Sequence, residues 1–287
     1  MELGGRIYVS MPSRRDDVKF SIWNISDIHY GNRACALELL KKDIERIKRD
    51  PFAFWFGGGD YADFIGYTDK RFHPDSVAPN IRVKDLGNLG KVLTDGVVEL
   101  LNPIKNKCLG IIKGNHEATY ARHKEQEDLQ SYMAIQLGTR PLGYCAFADV
   151  VFTHSKGDPK ILPGPIEDNT RASAAFRFFL HHGAGYATTE GGKLNRLIRF
   201  MERFEADVYM CGHVHDQTGK RIQVLRANTN CTDVIHGDRV GIITGGYLRA
   251  YAKGTTTYAE MRGYLPTVLG AANVDIWPNT REIRGNF

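Results

Sequence analysis

Lys19-Phe20-Ser21-Ile22-Trp23-Asn24-Ile25-Ser26-Asp27-Ile28-His29 is the stretch that decides the fold. Its first seven residues alternate and are rich in strand formers, and the run ends on polar Ser26, Asp27 and His29. A helix pattern follows, with Leu37, Leu40, Ile44 and Ile47 at three- and four-residue spacing and Asp50-Pro51 closing it. Phe52 to Phe56 is a short apolar strand running into Gly57-Gly58-Gly59-Asp60. A second helix pattern covers Leu89 to Leu101 and stops at Asn102-Pro103. Cys108 to Ile112 is the next strand, delivering Lys113-Gly114-Asn115-His116-Glu117. Strand and helix alternate, which is the signature of an α/β fold. Polar residues stand at the C-terminal end of each strand, where ligands gather in open α/β sheets.

The second half reads differently. Tyr144 to Phe147, Val150 to Thr153 and Arg177 to Leu180 are expected strands, the last ending in His181-His182-Gly183. Lys193 to Phe204 is an expected helix, with Leu194, Leu197, Ile198, Met201 and Phe204 on one stripe. Val208 to Cys211 is a strand ending in Gly212-His213-Val214-His215. Arg221 to Leu225 and Val240 to Thr244 suggest further strands with hairpin-like connections. The stretch from Gly66 to Asp85 holds few apolar residues and two prolines, and reads as a long surface excursion near the site. No repeat, low-complexity tract or composition shift marks a linker.

Composition excludes several classes. The chain has 287 residues, 42% of them hydrophobic and 25% charged, as in an ordinary globular protein. No apolar run approaches the ~20 residues needed to span a bilayer. The segment Met1 to Arg6 lacks the basic and apolar regions of a signal peptide. Five cysteines (Cys35, Cys108, Cys145, Cys211, Cys231) are scattered and never spaced Cys-x-x-Cys. Neither a disulfide framework nor a thiolate zinc site fits them, so a reduced, cytoplasmic protein is expected. The net charge of +5 is mild and dispersed, which permits an anionic substrate without establishing nucleic-acid binding. Arg14-Arg15 and the lysines of residues 41–49 stand beside acidic residues and read as solvated faces.

The strand ends carry the chemistry. They deliver Asp27 and His29, Asp60 and Asp63, Asn115 and His116, His181 and His182, and His213 and His215. Each pair alone has a bland reading: aspartates cap turns, and Asn-His after glycine makes a tight bend. Together they form a set of imidazoles, carboxylates and one amide oxygen without thiolate. That set suits borderline or hard divalent ions such as manganese, iron or zinc. Seven ligands with one shared carboxylate suffice for two ions about 3.5–4 Å apart with a bridging water.

Asp27-Ile28-His29, Gly59-Asp60-Tyr61-Ala62-Asp63, Gly114-Asn115-His116-Glu117, His182-Gly183 and Gly212-His213-Val214-His215 stand in the order of the calcineurin-like metallophosphoesterases, which this chain resembles over about residues 20 to 216. The resemblance implies a pair of packed mixed β-sheets flanked by helices, an αββα sandwich. It implies a single domain over residues 1–287, with C-terminal strands completing the second sheet. It also implies two divalent metal ions, manganese foremost, with iron, zinc or nickel as alternatives. One ion would be held by Asp27, His29 and His215, the other by Asn115, His182 and His213, with Asp60 bridging. His116 would be the general acid and Asp63 would orient its ring, while a metal-bridging hydroxide attacks a phosphomonoester or phosphodiester. Phe64 stands where protein serine/threonine phosphatases carry arginine, so a phosphoprotein substrate is not expected. The glycines at 183, 185, 191 and 192 resemble those of phage and prophage members of the superfamily.

Three points stay open on sequence. His182 is favoured over His181 because alternation lets only one of the pair face the ions, and His154 is a rival for that role. His73, His123 and His236 lack motif context and are expected to be exposed. The substrate is a phosphate ester, and a nuclease acting on DNA or RNA is the second reading. Arg71, Arg82, Lys84, Tyr186, Arg249, Tyr251 and Lys253 could line its groove. A non-catalytic metal-binding scaffold is the third reading, set back by the fact that every ligand position is filled. No membrane partner is expected, and oligomeric state is not legible.

Overall fold

The computed structural model describes all residues except 67, 68, 70, 71, 125–127, 166–171, 186 and 188, and leaves out the side chains of 122–124, 172 and 173. In chain order its first half runs β1 (Glu2–Met11), β2 (Phe20–Ile25), α1 (Leu37–Arg49), β3 (Ala53–Gly57), α2 (Leu89–Leu101), β4 (Cys108–Ile111), α3 (Asn115–Lys124) and α4 (Leu129–Leu137). The second half runs β5 (Cys145–His154), β6 (Ile161–Leu162), β7 (Ala172–His181), α5 (Glu190–Arg203), β8 (Val208–Cys211), β9 (Thr218–Ala227), β10 (Val234–Ile243), α6 (Tyr258–Met261), β11 (Ala272–Trp277) and β12 (Glu282–Asn286).

The strands form two mixed sheets. One has seven strands in the order β6-β1-β5-β7-β8-β10-β9, the other five in the order β12-β11-β2-β3-β4. In the five-stranded sheet β2, β3 and β4 are parallel while β11 is antiparallel to β2. In the larger sheet β7, β8 and β10 are parallel, and β5 runs against β7.

Side-chain alternation explains why the sheets stack. Phe20, Ile22, Phe54 and Phe56 of one sheet meet Val150, Phe152, Phe176 and Phe178 of the other in a single buried cluster. The rings of Phe20 and Phe152 lie 4.6 Å apart, and those of Phe56 and Phe178 5.2 Å. On the outer face of the smaller sheet, Leu40, Ile44 and Ile47 of α1 and Leu93, Val97 and Leu101 of α2 cover Trp55. On the outer face of the larger sheet, Leu197 and Met201 of α5 cover Phe179 and Tyr209. Helix, sheet, sheet and helix therefore make four layers, the sandwich that the resemblance implied. No helix of the described residues is long and apolar enough to cross a membrane.

Several elements depart from the expected bounds. The two strands expected between Tyr144 and Thr153 are one, β5, because Asp149 points outward and pairs with Arg177 of β7 at 2.8 Å. The hairpin strands β9 and β10 are ten residues each, longer than their apolar runs. In the excursion from Gly66 to Asp85, Ala78 donates to Gly31 O (2.8 Å) and Arg33 to Ser76 O (2.7 Å), tying it to the loop after β2.

Candidate metal centre

The chain turns sharply where the candidate residues stand. Asp27 (φ 53°), His29 (50°), Asp60 (52°), His213 (72°) and His215 (49°) all have left-handed backbones. They are five of the eight non-glycine residues with positive φ among those described. Such conformations cost about 1–3 kcal/mol each and persist only where surroundings over-determine them. Here the surroundings are a ladder of backbone bonds: Asp27 N donates to Gly59 O (2.9 Å), His29 N to Asp60 O (3.1 Å) and Tyr30 N to Tyr61 O (3.0 Å). With both members of Asp27-x-His29 and of His213-x-His215 turned this way, each pair faces one pocket.

Two groups of donors converge there. Asp27, His29 and His215 place one ligand atom each within 4.8 Å of one another, as do Asp60, His182 and His213. His215 Nε2 lies 3.1 Å from Asp27 Oδ1 and 3.2 Å from His29 Nε2. His182 Nε2 lies 3.2 Å from Asp60 Oδ2 and 3.0 Å from Asn115 Oδ1, and His213 Nδ1 is also 3.0 Å from that amide oxygen. A third group joins His29 and Asp60 to His116, so Asp60 belongs to two groups. Close approach is possible only because Gly114 lacks a side chain: a Cβ there would collide with the Asp60 carboxylate.

The tautomers fit divalent cations. His182 Nδ1 donates to Gly58 O (2.8 Å), His213 Nε2 to Gly185 O (2.9 Å) and His29 Nδ1 to Asp63 Oδ1 (3.2 Å). Each bond fixes a proton on the nitrogen facing away and leaves the other lone pair pointing into the pocket, which is how imidazole ligands are prepared. Ser26 Oγ donates to Asp27 Oδ2 (2.6 Å), and His213 N donates to the same oxygen (2.9 Å), so that carboxylate is held in orientation as well.

Electrostatics follow from burial and opposite charge. Burial pushes the Asp60 carboxyl up, yet His182 and His116 outweigh it and hold the group well below the ordinary range. The same contest lowers Asp27, with burial overcome by His215 and His182. Burial opposes a proton on His182, but Asp60 and Asp27 raise its pKa to about 10. Burial lowers His29 despite Asp63, and lowers His213 with help from His182. The Asp60 and Asp27 carboxylates thus favour positive charge beside His182 Nε2, which is what a cation held there would supply.

Placement of the remaining residues sharpens the expectations. His181 points away: its ring lies 4.7 Å from that of Phe200, and its Nδ1 accepts from Gly183 N (2.8 Å). His154 ends β5 nine residues beyond Cys145, which pairs with His181. At about 3.3 Å per residue that is some 30 Å away, so His154 is no rival. The Asp63 carboxylate lies closer to His29 (3.2 Å) than to His116 Nδ1 (3.9 Å). His116 Nδ1 instead donates to the Asp63 backbone carbonyl, so Asp63 holds the ring through its main chain and its carboxylate serves His29. None of the five cysteines joins a donor group among the described residues, and burial pushes the thiols of Cys108 and Cys211 up to about 12. His73 and His236 are exposed, and Arg82 and Lys84 stand on an exposed 3-10 turn. Arg71, Tyr186 and the His123 side chain lie outside the described residues.

Glu117 is a residue that the sequence reading left without a role. Its carboxylate accepts from Gly114 N (2.7 Å), Tyr61 N (2.8 Å) and Asp60 N (3.0 Å), joining the turns after β3 and β4. Burial, with Asp60 adding to it, raises its pKa to about 7. Its one sequence signal was a charged residue directly after two candidate site residues.

No curated protein matches the chain. Solved structures similar to it include a conserved uncharacterized protein, a predicted phosphoesterase, from Streptococcus pneumoniae TIGR4, with 14% identity, 90% of this chain and 84% of that one covered and a TM-score of 0.30. A metallophosphoesterase from Sphaerobacter thermophilus matches at 13% identity over 93% and 87% of the two chains, with a TM-score of 0.36. The nuclease MPE of Pseudomonas putida matches at 11% identity over 92% and 87%, with a TM-score of 0.29. The sequence profile of the calcineurin-like phosphoesterases matches residues 20–217, about two-thirds of the chain and all the strand ends described above. By that match the chain belongs to the calcineurin-like phosphoesterase family.

Proposed function

We propose that this chain, as a single domain, is a hydrolase of phosphomonoesters or phosphodiesters that works with two divalent cations. The observation that carries the reading is the set of three imidazoles, His29, His182 and His213, each with its far nitrogen bonded to an acceptor and its near nitrogen turned toward Asp or Asn oxygens or a further imidazole. Asp27, His29 and His215 would hold one cation, and Asn115, His182 and His213 the other, with the Asp60 carboxylate between them. When bound, two such ions, manganese first among the candidates, polarise phosphoryl oxygens and acidify a water molecule for attack.

The chain's own residues do the rest. His116, with Nδ1 donating to the Asp63 carbonyl, presents Nε2 to hold a proton and release it to the departing alkoxide. Asp63 keeps the His29 tautomer in place, and Glu117 fixes the turn that carries Asn115 and His116. Retention of every donor supports catalysis over a non-catalytic scaffold.

The test is to strip the protein with chelator, reload it with manganese, iron, zinc or nickel, and assay nitrophenyl mono- and diesters beside elemental analysis. Two ions per chain and turnover that returns with metal are expected. Turnover indifferent to chelation, or a protein that binds no ion, would overturn the reading.

A further inference from the structure

The segment between β10 and β11 takes no part in the centre yet is built onto it. Tyr247 N donates to the backbone carbonyl of Asp27 (2.8 Å), and Val268 N donates to Asp216 Oδ1 (3.2 Å), one residue after His215. The segment thus leaves and returns beside two of the residues assigned to one cation. Between these anchors it is tied to the loop after β2, because Arg249 N donates to Ala34 O (3.1 Å) and Arg33 Nη1 to Gly254 O (3.0 Å). Arg33 N also donates to Ser76 O (2.7 Å), so this wall continues into the excursion from Gly66 to Asp85.

Its surface is unlike the rest of the molecule. Of the thirteen large hydrophobic residues exposed among those described, five lie here: Tyr251 (45%), Tyr258 (57%), Met261 (63%), Leu265 (76%) and Val268 (59%). Cations are interleaved with the aromatics, as Arg249, Lys253 and Arg262 face only Glu260 in opposite sign within the segment. The Arg262 guanidinium carbon lies 5.4 Å from the Tyr258 ring centre, and Tyr258 meets Tyr264 at 6.0 Å.

We propose that this wall, residues 248–268, binds a single-stranded polynucleotide and leads it to the centre, which makes the substrate a nucleic-acid phosphodiester. The proposal rests on the phosphoesterase reading for the cleavage step but not for the binding. Exposed aromatic faces accept unstacked bases whatever their identity, and interleaved cations follow the phosphates. A duplex has no free base faces to offer. A second copy of this chain is the poorer occupant, since Arg249, Lys253 and Arg262 of each copy would meet the same cations with only Glu260 in opposite sign to answer them.

The test measures fluorescence anisotropy of a labelled oligothymidylate of about twenty nucleotides, with chelator present so that nothing is cut. Binding should exceed that of duplex of equal length and weaken steeply with salt. Replacing Tyr251 and Tyr258 together by alanine should weaken binding about tenfold or more, whereas phenylalanine at both positions should preserve it. The Lys253→Ala/Arg262→Ala pair should lower the slope of log affinity against log salt by roughly 1.4. Thermal unfolding of each variant checks that the fold survives. Equal binding of single strand and duplex, or affinity untouched by all the substitutions, would overturn the proposal. So would self-association abolished by Leu265→Asp, which would assign the wall to a second copy. Hydrolysis of a nitrophenyl diester by the metal-loaded wild type is scored separately: turnover without strand binding ends this proposal alone, and strand binding without turnover ends the phosphoesterase reading and the cleavage step with it, leaving the binding.

Discussion

The two sheets bring different chemistry to one pocket. Loops after β2 and β3 and the first turn of α3 after β4 carry Asp27, Asp60 and Asp63, the amide of Asn115, and the imidazoles of His29 and His116. Loops after β7 and β8 carry His182, His213 and His215, whose contribution is imidazole alone. The one carboxylate beside them, Asp216, is engaged by Lys193 at 2.9 Å. The carboxylates of the pocket are therefore buried on the five-stranded side and met by imidazoles from the seven-stranded side. Each proposed cation draws on both: His215 completes the group of Asp27 and His29, while Asn115 and Asp60 complete that of His182 and His213. Among the described residues the group of His29, Asp60 and His116 comes from the five-stranded side alone, whereas the other two groups form only because packing the aromatic core brings the loops of both sheets together.

Removing the shared carboxylate should break this arrangement most severely. Asp60→Ala removes the carboxylate proposed to bridge the two cations and leaves Asp27 as the anionic donor on one side alone, so elemental analysis should find both ions weakly held. Turnover should fall on the order of 10³-fold or more, since several kcal/mol of charge stabilisation go with the ions. Asn115→Ala, touching only His182 and His213, should chiefly empty one position. Two tightly bound ions in the Asp60→Ala protein would refute the bridging assignment.

The next largest effect separates proton transfer from metal holding on the five-stranded side. His116→Ala should keep both ions yet lose about 10²-fold or more in turnover of alkyl esters, whose leaving oxygens need a proton. Nitrophenyl esters should lose much less. Loss of an ion would instead make His116 a ligand, as its grouping with His29 and Asp60 permits. Equal losses on the two substrate types would remove the acid role.

How much of this was legible depended on which forces leave a mark in sequence. The helix Leu89–Leu101 and the strand Val208–Cys211 fall where periodicity and Asn102-Pro103 placed them. β1 leaves little mark in the sequence because Gly4 and Gly5 obscure its start, although Ile7, Val9 and Met11 alternate toward the core. β11 falls under the C-terminal strands that the resemblance implies but has no residue-level signal, because Asp275 interrupts its apolar run; that carboxylate accepts from Ser21 Oγ of β2 at 2.6 Å. α3 carries no apolar stripe, since its first turn serves the pocket. The candidate residues were legible because ligand types at strand ends are rare in combination. What escaped notice was support: Glu117 binding three backbone N–H groups and Asp63 serving His29 are set by the meeting of distant turns. The aromatic wall at 248–268 was seen only in part, through Arg249, Tyr251 and Lys253, because nothing local announces that the chain returns to Asp216.

The smallest expected effect tests the seven-stranded side at its finest grain, between two adjacent histidines. His182 is fully buried, with Nε2 turned to Asp60 and Asn115. One residue earlier on β7, His181 faces the opposite side of the sheet against Phe200 and Tyr144. Burial, with His182 and His213 adding to it, lowers the His181 pKa to about 4, so its ring is neutral at ordinary pH and brings no charge to the pocket. His181→Ala should therefore cost ring packing and the acceptor for Gly183 N, about 1–2 kcal/mol of stability. Its metal content should stay whole and its turnover should change by no more than a few-fold. His182→Ala should empty the position shared with Asn115 and His213, with the larger activity loss that follows. If elemental analysis found the ion missing from the His181 variant and retained in the His182 variant, the strand's facing would be reversed. The seven-stranded sheet's contribution would then have to be rebuilt from the other side.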